Sequence, residues 1–188
     1  MENIKMIVSL TLICGLCGFL LAGVRTLTED RIEIQILRNV QMPAVKSVLE
    51  SSDNDLMQDR RKIRLGNREI TVFLGKKNGK IWALAFESEG SGFGGKLGVI
   101  LGVDVYKNVL TGIGITTCTE TPGIGMRVKD MNFRKGFKGK SVTDAIRLKA
   151  DNGVIDGISG ATYSSRASCE AVSKGLELYK RIKAEVMK

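Results

Sequence analysis

The stretch "MIVSLTLICGLCGFLLAGV", residues 6–24, constrains this chain more than any other part of it, because it carries no charge over 19 residues. A helix of that length rises far enough to cross the roughly 30 Å of hydrocarbon in a bilayer. A cleaved signal peptide competes with this reading, since Lys5 and the amino terminus form a positive flank and "LLAG" ends in small residues. Two features argue for retention: the apolar run exceeds the roughly 7 to 15 residues of a signal core, and no A-x-A pattern precedes Arg25. Neither Cys14 nor Cys17 follows a lipobox-like stretch. Residues 1–25 are therefore read as a membrane anchor. Lys5 on one side faces Arg25 and Arg31 on the other, so the positive-inside count leaves the orientation open.

The chain of 188 residues leaves room beyond the anchor for one modest domain. The net charge of +9 falls entirely on that part, because Lys5 offsets Glu2 within residues 1–24. A basic surface favours anionic partners, and here the neighbour is an acidic membrane face rather than nucleic acid. Aromatic residues make up only 5% of the chain, and no zinc-finger, helix-turn-helix or RNP-like pattern occurs. Histidine is absent altogether. That excludes His-based triads, His acid-base chemistry and His-ligated metal within this chain. Cys14 and Cys17 lie inside the apolar span, where small soft side chains serve packing. Cys118 and Cys169 could pair only if the fold brought them together, which spacing does not decide. No metal site is expected.

Residues 26–61 read as a helical stalk and linker. Ile32, Ile36 and Val40 recur at four-residue spacing, Pro43 predicts a bend, and residues 51–61 are polar and loop-like. From Lys62 the pattern changes to short apolar runs with turns between them. "EITVFLG" and "IWALAFE" flank "KKNGK", a hairpin in which Gly79 takes positive φ, and "KLGVILGVDV" and "LTGIGITTCT" flank "YKN". Two hairpins or a four-stranded meander follow. "AIRLKA" and "GVIDGI" suggest one or two more strands, and the basic "VKDMNFRKGFKGK" a helical turn or two. Val172, Leu176, Tyr179, Ile182 and Val186 then predict an amphipathic helix from about Ser164. The fold class is α+β.

Three glycine-containing segments could cradle a phosphate. "GSGFGG", residues 90–95, matches G-x-G-x-x-G, but β-like sequence follows where a dinucleotide site needs a helix. "GKS", residues 139–141, fails as a P-loop because Arg134 stands where the first glycine belongs. "DGISGATYSSRA", residues 156–167, opens a helix whose first N–H groups and dipole suit an anion. Plain N-capping by Ser164 or Ser165 is the simpler explanation, but one cap needs only one hydroxyl.

"DGISGAT" resembles the flavinylation signature of the FMN-binding domain family. That resemblance implies FMN bound covalently through a phosphoester to Thr162, with Asp156, Ser159, Gly160 and Ala161 as recognition and binding residues. It also implies a flavin transferase that installs the group from FAD. "TETPGIG", "GFGGKLGVILGVD" and "NFRKGFKGK" are similar to segments of the G-type subunit of the Rnf electron-transport complex, which implies that Glu120, Thr121, Pro122 and Gly123 line the flavin site. The implied protein is α+β, with a transmembrane helix ahead of one FMN-binding domain, an antiparallel sheet with flanking helices, over residues 62–188. It would relay electrons in a ferredoxin- and NAD-linked, ion-translocating complex of integral and peripheral subunits. It would have no complete activity alone and no catalytic side chain. The expected place is single-pass in the cytoplasmic membrane, with the domain on the extracytoplasmic side. Two departures stand out: Cys118 replaces a polar residue, and Tyr163 and Ser164 replace an aliphatic-Thr pair. The C-type subunit of the sodium-pumping NADH:quinone reductase shares the flavin motif, and so could a sensory FMN-domain protein. An unmodified anchored binding module, in which the motif is only a turn and cap, is the third alternative.

Overall fold

Alternating side chains and short polar turns build one antiparallel meander, seen in a computed structural model that describes residues 2–66 and 68–186. The strands are β1 (Arg60–Leu65), β2 (Arg68–Lys77), β3 (Lys80–Ser91), β4 (Lys96–Asp104) and β5 (Val109–Cys118). They pair in sequence order, each antiparallel to the next. Asn78 and Gly79 both take positive φ, at 51° and 75°, in the two-residue β2–β3 turn, as the primed hairpin turns require. In the β4–β5 connection the Asp104 carboxylate accepts the N–H groups of Tyr106 and Lys107, both at 2.9 Å. The fifth strand, β1, was not legible as a strand. Four of its six residues are basic, and only Ile63 is buried. Such charge is how an edge strand resists further pairing.

The described residues fall into two compact units that divide between Asn39 and Val40. The first is built on α1 (Glu2–Ile36), whose side chains from Ile4 to Val24 are exposed along their length. Regular α-helical bonding gives way to a wider π-type turn at Leu37–Gln41, ahead of Pro43 rather than at it. Pro43 instead sits at the start of α2 (Met42–Val48), where its missing N–H costs no bond.

In the second unit the two faces of the sheet are covered differently. Leu84, Phe86, Leu97, Val99, Leu101 and Val103 project towards α4 (Thr162–Val186) and form the main core with Val172, Tyr179 and Ile182. On the other face α2 lies almost on the sheet backbone, because glycines pave it. A Cβ at Gly114 would sit 2.6 Å from the Ala44 Cβ, and one at Gly102 would sit 2.9 Å from the Val48 Cβ. Met42, Ala44, Val45, Val48 and Leu49 are buried there, so residues expected to belong to a stalk form one layer of the domain.

Two expectations need correction. The strands expected within residues 145–158 do not form. Asn152 adopts a left-handed conformation at φ 59°, and Gly153 packs against the Arg147 backbone. The chain therefore reverses within a few residues, leaving one parallel bridge, Leu148 with Ile155, and a 3-10 turn at Lys149–Asp151. Leu148 and Ile155 plug the core, which accounts for their strand-like spacing. The C-terminal helix also begins earlier than expected, at Thr162 rather than near Ser164.

Candidate functional site

The early start of α4 changes what its serines do. Neither Ser164 nor Ser165 caps the helix. The Ser165 hydroxyl donates back to the Ala161 carbonyl at 2.9 Å and accepts the Ile158 N–H at 3.1 Å. Ala161 N–H in turn donates to the Ile158 carbonyl at 3.0 Å, so the "SGA" turn is fastened to the helix it precedes. The first backbone bond of the helix runs from Ser165 N–H to the Ala161 carbonyl at 3.0 Å. The N–H groups of Thr162, Tyr163 and Ser164 lie ahead of it, at the positive end of the helix dipole.

Ser164 reaches across the fold instead. Its hydroxyl donates to Oε2 of Glu120 at 2.8 Å, and Glu120 is only 4% exposed. The other oxygen, Oε1, accepts the Gly94 N–H at 3.3 Å, while Thr119 Oγ1 donates to the Gly94 carbonyl at 2.9 Å. Glu120 therefore ties together three segments: the β3–β4 loop at 92–95, the post-β5 segment at 119–125, and the start of α4. Glycine makes the knot possible. A Cβ on Gly92 would meet Glu120 Oε1 at 2.0 Å, and one on Gly125 would lie 2.7 Å from both Glu120 Cβ and Ser164 Oγ.

Around this knot the residues singled out in the sequence sort by exposure. Thr121, Pro122 and Gly123 form the exposed crest of the post-β5 segment, and Glu120 is its buried root. Ser159, Gly160 and Thr162 are exposed, and Ala161 is buried between them. Gly160 takes φ 79°, which turns the chain into the helix. The Thr162 side chain faces solvent on the first turn. Asp156 lies at the outer edge, paired with Lys149 at 2.8 Å. The 3-10 turn Gly125–Lys129 brings Arg127, whose Nη1 donates to the Ser159 carbonyl at 3.2 Å. Sequence reasoning missed Arg127 and the role of Ser164, because both act through contacts far along the chain. Phe93 entered only as part of the segment "GFGGKLGVILGVD" and was given no role of its own.

A cleft of about 1060 Å³ lies elsewhere. It opens where β2 and β3 separate ahead of Val72, and Thr71, Glu87 and Arg181 are among its walls. Neither the Glu120 segment nor the turn from Asp156 to Thr162 lines it. Size alone does not make it the better site, since the hydrogen-bonded knot around Glu120 and the exposed Thr162 hydroxyl lie at the start of α4. Cys118 and Cys169 remain separate free thiols, and burial pushes the Cys169 thiol up to about 12.

Comparison with known proteins agrees with this geometry. The family model described as FMN-binding domain matches residues 92–177, which run from the Gly92 loop through the first two-thirds of α4. The G-type subunit of the ion-translocating oxidoreductase complex from Cereibacter sphaeroides is 34% identical over 143 residues, 72% of this chain and 64% of that protein. The corresponding protein of Aliivibrio fischeri is 30% identical over 179 residues, 85% of this chain and 82% of that one. Among solved structures, the C-type subunit of the Na⁺-translocating NADH-quinone reductase from Parabacteroides distasonis is similar at a TM-score of 0.54 and 27% identity, covering 61% of this chain and 63% of that one. The chain thus spans a little under two thirds of the length of the Cereibacter relative and of this structure. With the knot around Glu120, the open first turn of α4 and these likenesses together, the chain belongs to the family of G-type subunits of ion-translocating oxidoreductase complexes.

Proposed function

We propose that this chain relays electrons through FMN carried on Thr162, as the membrane-anchored flavoprotein subunit of an Rnf-type complex linked to ferredoxin and NAD. The observation that carries the reading is the exposed Thr162 hydroxyl on the open first turn of α4, within a turn locked to both the helix and the Glu120 segment. The residues present fit an FMN phosphoester. In the attachment step, Thr162 Oγ1 bonds to the flavin-side phosphorus of FAD, AMP leaves with the former bridging oxygen, and the hydroxyl proton is released. A flavin transferase serves that step. The resulting diester keeps about one negative charge, which the helix N–H groups and the Arg127 guanidinium beside Ser159 offset.

When bound, the flavin supplies the redox chemistry that this side-chain set lacks. The chain's own part is to hold it. Thr121, Pro122 and Gly123 present backbone and hydroxyl to the ring, Ser159, Gly160 and Ala161 shape the tether, and Asp156 marks the motif for the transferase. Residues 1–25 anchor the protein, residues 26–61 connect, and residues 62–188 carry the flavin with α2 as an added layer. The complex sits in the cytoplasmic membrane with this domain on the extracytoplasmic side. There the flavin stays within transfer distance of the integral subunits.

The test is intact-mass spectrometry of the full chain co-expressed with a flavin transferase. An FMN adduct on the peptide holding Thr162, absent from Thr162→Ala, is expected. A colourless parent of unmodified mass reduces the motif to a structural turn, and a flavin retained by Thr162→Ala moves the attachment elsewhere.

A further inference from the structure

Large apolar side chains left in water need a reason when they gather at one place. Phe93 and Tyr163 are 78% and 68% exposed, yet their ring centroids lie 6.2 Å apart with planes tilted by 54°. Neither ring is there by accident of a loose loop. Phe93 stands between Gly92 and Gly94, and both glycines lie flat against the Glu120 and Thr119 segment at distances that forbid any side chain. Tyr163 is fixed on the first turn of α4, one residue from the proposed tether. Ile124, 52% exposed, precedes Gly125, where a Cβ would touch Ser164 Oγ.

We infer that Phe93 and Tyr163 form a two-walled aromatic clip that receives the isoalloxazine ring of a flavin tethered at Thr162. The inference rests on the attachment reading above and adds the residues that hold the ring. Aromatic systems prefer offset stacking on one partner and edge contact with another, and two walls tilted by 54° offer both to a flat tricyclic ring. The clip leaves one side of the ring open, as electron exchange with another protein requires. Tyr163 has a second consequence, because a phenol in contact with a flavin quenches its fluorescence.

The experiment uses the full chain co-expressed with a flavin transferase. It reads attachment by intact mass, and flavin fluorescence lifetime and visible circular dichroism on the same samples. Phe93→Ala and Tyr163→Ala should keep the adduct and lengthen the lifetime several-fold, with loss of the visible dichroism. Tyr163→Phe should lengthen the lifetime and keep the dichroism. Tyr106→Ala, which removes an exposed ring from the β4–β5 turn, should match the parent. An adduct at Thr162 with a parent-like lifetime in either alanine variant overturns the clip and leaves the attachment standing. A parent without an adduct overturns both.

Discussion

The two ends of α4 obey different rules, although they belong to one helix of 25 residues. In the first turns three of the buried side chains are hydroxyls: Ser164, Ser165 and Ser168 are at most 3% exposed. Each is satisfied, to Glu120, to the Ala161 carbonyl and to the Ser164 carbonyl respectively. In the last turns the buried positions are Leu176, Tyr179, Ile182 and Val186. Burial of aliphatic surface is strong and without direction; a hydrogen bond adds little net energy but fixes geometry. The C-terminal half thus secures the helix to the sheet, and the N-terminal half ties the Glu120 segment and the turn at 158–161 to the helix start.

The largest test of this contrast is Ile182→Ala. It should destabilise the protein by about 2 to 5 kcal/mol in urea denaturation, because the side chain is fully buried and leaves a cavity. A loss below about 1 kcal/mol would mean that the distal half is not the anchor. Next in size is the knot. Glu120→Ala leaves the Ser164 hydroxyl and the Gly94 N–H without their partner and should cost about 1 to 3 kcal/mol. A double-mutant cycle with Ser164→Ala should give a coupling of at least about 0.5 kcal/mol, and additive losses would break the claim that the two act together.

Alkaline pH gives a smaller, graded effect. Burial pushes the Cys169 thiol from 9.0 up to about 12, and burial with the nearby Asp104 carboxylate moves the Tyr179 phenol from 10.0 up to about 12. Both folded values lie above the unfolded ones, so the stability they confer is complete below pH 9.0 and falls as pH rises towards about 12. Each group contributes a slope of at most about 1.4 kcal/mol per pH unit. Denaturation midpoints followed from neutral to alkaline pH should decline, and Cys169→Ala should flatten the onset of that decline. Smallest in stability is Thr162→Ala, which should lie within about 0.5 kcal/mol of the parent because an exposed hydroxyl is removed. Calorimetry of the flavin-free protein checks this, and a larger cost would give Thr162 a structural role of its own.

Much of this arrangement was readable beforehand, for reasons that are local. Alternation marked β2 to β5, and Asn78 with Gly79 marked a primed turn. The spacing from Val172 to Val186 marked α4, and an uncharged run of membrane length marked α1. Other features were hidden because their cause lies far along the chain. The basic side chains of β1 disguised an edge strand, and Leu148 and Ile155 imitated strand spacing while serving as two plugs. The glycines at 102 and 114, legible only as parts of two strands, proved to be the floor on which α2 rests.

By itself the sequence determined the long apolar helix, the strand periods and the short motif with its threonine, since each depends only on neighbours a few positions away. Tertiary structure decided that Glu120 meets Ser164 across 44 positions, that Arg127 reaches Ser159, and that Phe93 faces Tyr163. Such meetings depend on how a helix packs on a sheet, and packing is set by the summed shape of many distant side chains rather than by any pattern in a short stretch.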